Sequence, residues 1–364
     1  MIAPRLLLLL AALAACDALP EPRFEGKHIR LGTSPGLEPC AGNLAHMDQF
    51  VARMAAEMGV AAPTGDDRFT FYWLTHDDYL AHSPCPREVT ACTVVDTIYS
   101  HAAMLDHELV HLFAYDSSSF FGEGFAVAYE GLDGLILDHG EAPPPAGRRD
   151  VWSSMLSVLW FGVNYDTAGA FVADLLDRHG LPAVQAALPK LPLVPSRAGI
   201  DRIFRDEFGV PLADSVAAFT AERESCPKVA YDRKLMECDA PRIAWDGARH
   251  AEYRRLAADE PDAIGPFGSD GLLVLRSVDI PADGAYELEI VVDPRADNPV
   301  IFAEPTLSLV GCGRCDDPPA AFATTSRRRV ELRAGRYSLR LHGSTRADTR
   351  VAWSITRVDD PTPR

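Results

Sequence analysis

Two histidines four residues apart, with a glutamate directly after the first, are the residues of this chain whose types and spacing could do chemistry: His107-Glu108-Leu109-Val110-His111. On a helix, positions i and i+4 share a face and lie about 6 Å apart along the axis. Both imidazoles can then reach one Zn²⁺ at about 2.0–2.1 Å. Glu108 would stand beside the ion without ligating it, where its carboxylate can take a proton from polarised water. The flanks are apolar: Ala102, Ala103, Met104, Leu105, Leu109, Val110, Leu112 and Phe113 predict a helix that is largely buried. Buried His and Glu need partners, and a metal supplies them.

A catalytic zinc takes three protein ligands and keeps one position open. The segment Phe120-Phe121-Gly122-Glu123-Gly124-Phe125-Ala126-Val127-Ala128-Tyr129 reads as a turn leading into a second helix, with Glu123 as the third ligand. Gly122 and Gly124 permit close backbone packing around it. A first-turn carboxylate favoured by the helix dipole is the structural alternative for Glu123.

With these residues the chain resembles the gluzincins, and more closely the peptidase MA-like family of short metallopeptidases. Eleven residues separate His111 from Glu123, and the E-G-x-A part of the family's W-x-x-E-G-x-A-x-Y-like segment is intact. Phe120 stands where the Trp is usual, and Tyr129 falls one residue late. The G-x-M-E-N segment of the aminopeptidase members is absent, which points away from amino-terminal trimming and toward internal cleavage. Tyr165-Asp166-Thr167-Ala168-Gly169-Ala170-Phe171-Val172, continuing to Gly180, is similar to the family's next helix. Phe204 through Gly209 and Pro211 through Phe219 are similar to its closing helices. The likeness covers roughly residues 90–225.

The resemblance implies an α+β zincin-like peptidase domain, a bound Zn²⁺ and hydrolysis of peptide bonds in a peptide or protein substrate. It implies a strand beside the H-E-x-x-H helix that receives extended substrate, here Thr93 to Tyr99. By the same likeness Tyr165 stabilises the oxyanion; the alternative is a half-buried Tyr at a helix packing site. Thermolysin-type sites place an Asp four residues beyond the Glu ligand, and here that position is Val127. Either another group orients the histidines or the metal is held less firmly.

Residues 1–15 read as an export signal, with Arg5 before the apolar run Leu6 to Leu13, too short to span a bilayer permanently. Leu13-Ala14-Ala15-Cys16 resembles a bacterial lipobox, which implies a lipid on Cys16 and a protein anchored in the cell envelope on the exported side. The alternative is ordinary cleavage that leaves Cys16 a plain thiol. Export permits disulfides. Sequence proximity suggests Cys85–Cys92, Cys226–Cys238 and Cys312–Cys315, with Cys40 unpaired or displacing one member of the first pair.

The rest of the chain must position and deliver this chemistry. Its 364 residues predict two or three domains, and 47% hydrophobic content is ordinary for a globular protein. A formal charge of −17 with no basic cluster argues against nucleic-acid binding. We expect a tether over residues 16–27, the peptidase-like domain over 28–239, and an antiparallel β-sandwich over 240–364. Strands are expected near 28–33 and 69–74, a helix near 42–58, and several helices over 150–224. Beyond 240, six strands separated by turn signals are expected, at 271–280, 285–292, 305–310, 329–332, 336–341 and 350–355. Residues 334–341 resemble the ending of pre-peptidase C-terminal domains, a binding or spacer module. A second function class therefore stands beside the enzyme: a catalytically silent envelope binding protein acting through its β-sandwich. A structural envelope protein with a chance motif is the third.

Overall fold

The computed structural model describes residues 19–114, 118–131, 150–157, 162–222, 226, 228–244, 247–293, 305–312, 321–323 and 327–358. Residues 1–18, with the expected export signal and Cys16, and Cys315 lie outside the described residues.

A five-stranded sheet leads to the H-E-x-x-H segment. Its strands are β1 (Phe24–Glu25), β2 (Ile29–Thr33), β3 (Phe69–Trp73), β4 (Ala91–Val94) and β5 (Thr97–Ser100), in the order β1-β2-β3-β5-β4. The inner strands β2, β3 and β5 are parallel, and β1 and β4 run antiparallel at the edges. Parallel strands need a crossover, and helix α1 (Asn43–Glu57) supplies it between β2 and β3. His46, Met47, Phe50, Val51 and Met54 recur on the buried face of α1 at helical spacing. After β3 come α2 (His76–His82), the β4–β5 hairpin, and α3 (Asp106–His111). A helical layer follows: α4 (Ser119–Tyr129), α5 (Val151–Met155), α6 (Tyr165–His179), α7 (Leu181–Ala187), α8 (Arg197–Phe208), α9 (Leu212–Glu222) and α10 (Lys228–Tyr231).

Four expectations are corrected here. Residues 24–25 belong to the sheet, with Phe24 opposite Leu31, so the expected tether over 16–27 does not extend that far. Thr93 to Tyr99 is a hairpin and not one strand: Val94 pairs with Thr97, and Val95 turns the chain at φ 58°. The β-branched run hides this turn because it lacks the Asn-Gly or Asp-Gly chemistry that marks such reversals. The H-E-x-x-H helix begins only at Asp106. Leu105 is extended, and the Ser100 hydroxyl accepts from the Ala102 N–H at 2.9 Å, holding the preceding residues in a bend. Glu123 sits inside α4, which already starts at Ser119, and not in a turn ahead of it.

The C-terminal half contains two antiparallel sheets. Their strands are β6 (Arg249–Leu256), β7 (Ala263–Phe267), β8 (Gly271–Ile280), β9 (Gly284–Val292), β10 (Thr306–Gly311), β11 (Ala321–Ala323), β12 (Arg328–Leu332), β13 (Gly335–Ser344) and β14 (Thr349–Arg357). The sheet orders are β11-β10-β13-β8-β7 and β12-β9-β14-β6. Val274 and Ile280 from one sheet and Tyr286, Leu288, Trp353 and Ile355 from the other share one apolar core. The six expected strands are present. β6, β7 and β11 escape the sequence reading: β6 is largely polar, and β7 carries Pro266, which only an edge strand tolerates.

The two halves meet through backbone and buried side chains. Asn43 at the start of α1 donates to the Gly265 carbonyl at 2.6 Å and accepts from the Gly265 N–H at 2.8 Å. Ile264, Phe267, Leu273 and Leu275 pack into the core of the N-terminal half. Cys238 is bridged to Cys312, with Cα atoms 5.8 Å apart across 74 residues. This overturns the Cys226–Cys238 and Cys312–Cys315 pairing; Cys226 is itself disulfide-bonded. Nearness in sequence is not the criterion, because a bridge needs Cα atoms about 5–6 Å apart in space. Cys85–Cys92 forms as expected, and Cys40 is a free, buried thiol.

Candidate metal centre

Helices α3 and α4 cross so that three donor atoms converge. His107 Nε2 lies 3.1 Å from Glu123 Oε2, His111 Nε2 lies 3.4 Å from the same oxygen, and the two Nε2 atoms are 3.2 Å apart. Ligands about 2.0–2.1 Å from a tetrahedral zinc are spaced about 3.3 Å from one another. The observed triangle has that size. Among the described residues these three form the group whose geometry could hold a metal ion.

Burial pulls the His107 pKa down, yet its hydrogen bonds to Glu123 and Glu130 overcome this and raise it well above the ordinary value. Burial would raise Glu123, yet His107 and His111 hold it far below the usual carboxylate range. Glu130 at Nδ1 and Glu123 at Nε2 thus place two negative charges around one imidazole.

The close approach of α4 and α6 sets the depth of the site. A Cβ on Gly124 would lie 2.6 Å from the Ala168 carbonyl oxygen, and one on Gly169 would lie 2.3 Å from Val127 Cγ1. Each helix thus presents a glycine to the other, and the first turn of α6 comes close to His107. Asn164 caps that turn, accepting from the Thr167 N–H at 2.9 Å. The Tyr165 ring then stands 6.0 Å from the His107 ring. Desolvation first, then the negative charges of Glu123 and Glu108 and a hydrogen bond to Glu123, push the Tyr165 hydroxyl up, so it remains a donor.

Glu108 is buried, and the Thr93 hydroxyl on β4 donates to its Oε2 at 2.8 Å. The same hydroxyl is 3.0 Å from the Glu108 carbonyl oxygen, fixing α3 to β4. On the far side of α3, Asp106 accepts from His46 of α1 at 3.0 Å, with both side chains buried.

The group that orients His107 is Glu130. The His107 Nδ1–H donates to Glu130 Oε2 at 2.5 Å, and Lys228 Nζ holds the other carboxylate oxygen at 3.1 Å. Val127 stands where a thermolysin-type site has its Asp, so the orienting carboxylate comes from elsewhere in the chain. The signal was there: Glu130 is seven residues beyond Glu123, two helical turns along the same face. Thr93 as a partner of Glu108 had no such signal, because it depends on where the hairpin lands. His107, His111 and Glu123 converge, Tyr165 stands beside His107, and Glu108 follows His107 on α3 with its carboxylate held by Thr93.

No family model matches the chain, and no curated protein matches it. Among solved structures, the pre-peptidase C-terminal domain of a collagenase from Bacillus anthracis is 12% identical, with TM-score 0.24, covering 33% of this chain and 97% of that one. A family GH115 4-O-methyl-α-glucuronidase is 14% identical, with TM-score 0.18, covering 55% of this chain and 29% of that one. At these scores neither likeness assigns a fold or a function.

Proposed function

We propose that the chain is a zinc-dependent metallopeptidase, an endopeptidase of zincin-like α+β architecture, carried in the cell envelope by a lipid on Cys16. The convergence of His107, His111 and Glu123 on one point, with Glu108 beside them, carries this reading. When bound, zinc supplies Lewis acidity and lowers the pKa of its water. Glu108, steered by the Thr93 hydroxyl, takes the proton of the attacking water and passes it to the leaving amine. Tyr165 donates its hydroxyl to the oxyanion of the tetrahedral intermediate. Glu130 fixes the tautomer and orientation of His107, which would leave Nε2 free to hold the ion. Substrate lies extended along β4, the terminal strand of its sheet, whose Thr93 already touches Glu108. The two antiparallel sheets of the C-terminal half form a β-sandwich module that accompanies the peptidase.

The test is zinc stoichiometry on the fragment lacking residues 1–16, beside its Glu123→Ala variant. About one zinc per chain, lost or sharply weakened in the variant, supports the site and opens a peptide-library search. A native fragment that takes up no zinc after reconstitution ends the peptidase reading.

A further inference from the structure

Glu130 caps the C-terminal end of α4, and its carboxylate is divided between two partners. Oε2 accepts from His107 Nδ1 at 2.5 Å, and Oε1 meets Lys228 Nζ at 3.1 Å. An ammonium has three donors, and each one of Lys228 finds an acceptor. Besides Glu130 Oε1 these are Asp232 Oδ2 at 2.8 Å and the Gly131 carbonyl at 3.3 Å. Glu130 and Asp232 are buried, and the Lys228 side chain is 14% exposed. A cation so enclosed has lost most of its hydration, and these three oxygens replace it.

The place of Lys228 is itself fixed by its neighbours. Lys228 and Asp232 stand one helical turn apart, and the Asp232 N–H donates to the Lys228 carbonyl at 3.1 Å. Asp232 Oδ1 accepts from the Lys234 backbone N–H at 2.9 Å, so Asp232 is held at both oxygens. The Arg233 N–H donates to the Ala128 carbonyl at 2.9 Å, which seats the chain after α10 on the open carbonyls at the end of α4. The buried Tyr231 hydroxyl reaches the Asp166 carbonyl at 3.5 Å, in the first turn of α6 beside Tyr165. Residues 228–234 thus bridge the end of α4, which carries Glu130, and the start of α6, which carries Tyr165.

We propose that Lys228 is a positioning residue for the metal centre, acting through Glu130. The proposal rests on the reading of His107, His111 and Glu123 as a zinc site. A carboxylate with one partner can rotate and keep that partner, whereas one held at both oxygens cannot. Lys228 on Oε1 leaves Oε2 for His107 and locks the plane of the carboxylate, and with it the His107 ring. The cation also compensates the buried charge of Glu130, which without it would be drawn toward another donor or toward water. A cation at the end of α4 stabilises that helix as well. The two roles differ in one respect: helix capping does not need the Glu130 carboxylate, and positioning does.

The experiment is zinc affinity by chelator competition on the chain lacking residues 1–16, in two backgrounds, the parent and Glu130→Gln, with folding checked by circular dichroism. Lys228→Met keeps the apolar stem and removes the ammonium. In the parent it should weaken zinc about tenfold, the low end of the effect of losing an outer partner of a ligand. In Glu130→Gln it should change zinc affinity by less than about twofold, because the group through which Lys228 acts is already gone. A folded Lys228→Met protein with parental zinc affinity overturns the proposal. So does an equal loss in both backgrounds, which is the result of helix capping alone. If Lys228→Met does not fold, Lys228→Met with Asp232→Asn carries the same comparison, since it leaves only Glu130 without its cation. A parent that binds no zinc overturns the zinc reading and this role with it, whereas a parent that binds zinc and shows equal losses in both backgrounds overturns the role of Lys228 alone.

Discussion

Glu130 Oε2 accepts the Nδ1–H of His107 at 2.5 Å, from a residue seven positions beyond Glu123 on the same helix face. Helix α4 thus carries a candidate metal ligand, and the residue that caps its C-terminal end aims another. Glu130 keeps right-handed helical backbone angles at that cap, so its offset from Glu123 follows the helical rise.

Glu130→Gln should therefore keep the fold but lower zinc affinity about 10–100-fold. Chelator competition reads this directly, and parental affinity in the variant would show that His107 needs no such partner.

Thr93→Val removes one hydroxyl from the Glu108 carboxylate while leaving the ligands alone. We expect kcat to fall about tenfold, the effect of losing roughly 1.4 kcal/mol of positioning, with zinc content unchanged. The comparison is Glu108→Gln, which should retain zinc and abolish turnover of a cleavable peptide.

Gly124→Ala inserts a methyl group against the Ala168 carbonyl and the Val172 side chain. The helices must separate, at a cost of about 1–3 kcal/mol, visible as a lower melting temperature. An unchanged melt would mean the two helices tolerate a wider spacing than the structure has.

Acid should destabilise the protein through Glu237. Burial opposes its charge, but Arg340 and the hydrogen bonds around it hold its pKa below the ordinary value of 4.5. The folded protein thus holds fewer protons than the unfolded chain as pH falls below that value. The stabilisation is present above about pH 4.5 and is lost as pH drops through the folded pKa. Urea unfolding between pH 6 and 3 should show a steeper loss for the parent than for Glu237→Gln with Arg340→Met. Parallel curves would remove Glu237 as the source.

Cys40 is 2% exposed, and burial pushes its thiol up to about 12. Iodoacetamide at pH 8 should leave it unmodified in the native protein and label it after denaturation, as read by peptide mass spectrometry. Rapid native labelling would place Cys40 at a mobile surface.

The candidate metal triad and Glu108 were legible because their signal is local. His107, Glu108 and His111 fall on one short helix, and Glu123 falls on the next, so residue type and spacing carry the information. The apolar periodicity of α1 and the turn chemistry of the C-terminal strands were legible for the same reason.

Tertiary structure decided everything that depends on elements meeting across sequence distance. The hairpin at Val95 places Thr93 on Glu108, and no pattern within residues 91–100 specifies that contact. Cys238 pairs with Cys312 because β10 packs beside the segment after α10, whereas sequence offered only nearer cysteines. Lys228, Asp232, Lys234, Glu237 and Arg340 look like ordinary surface charges until burial forces each to find a partner. Spacing on one helix is written in the chain, but the desolvation that drives Lys228 onto Glu130 and Asp232, and Arg340 onto Glu237, exists only once the fold closes over them.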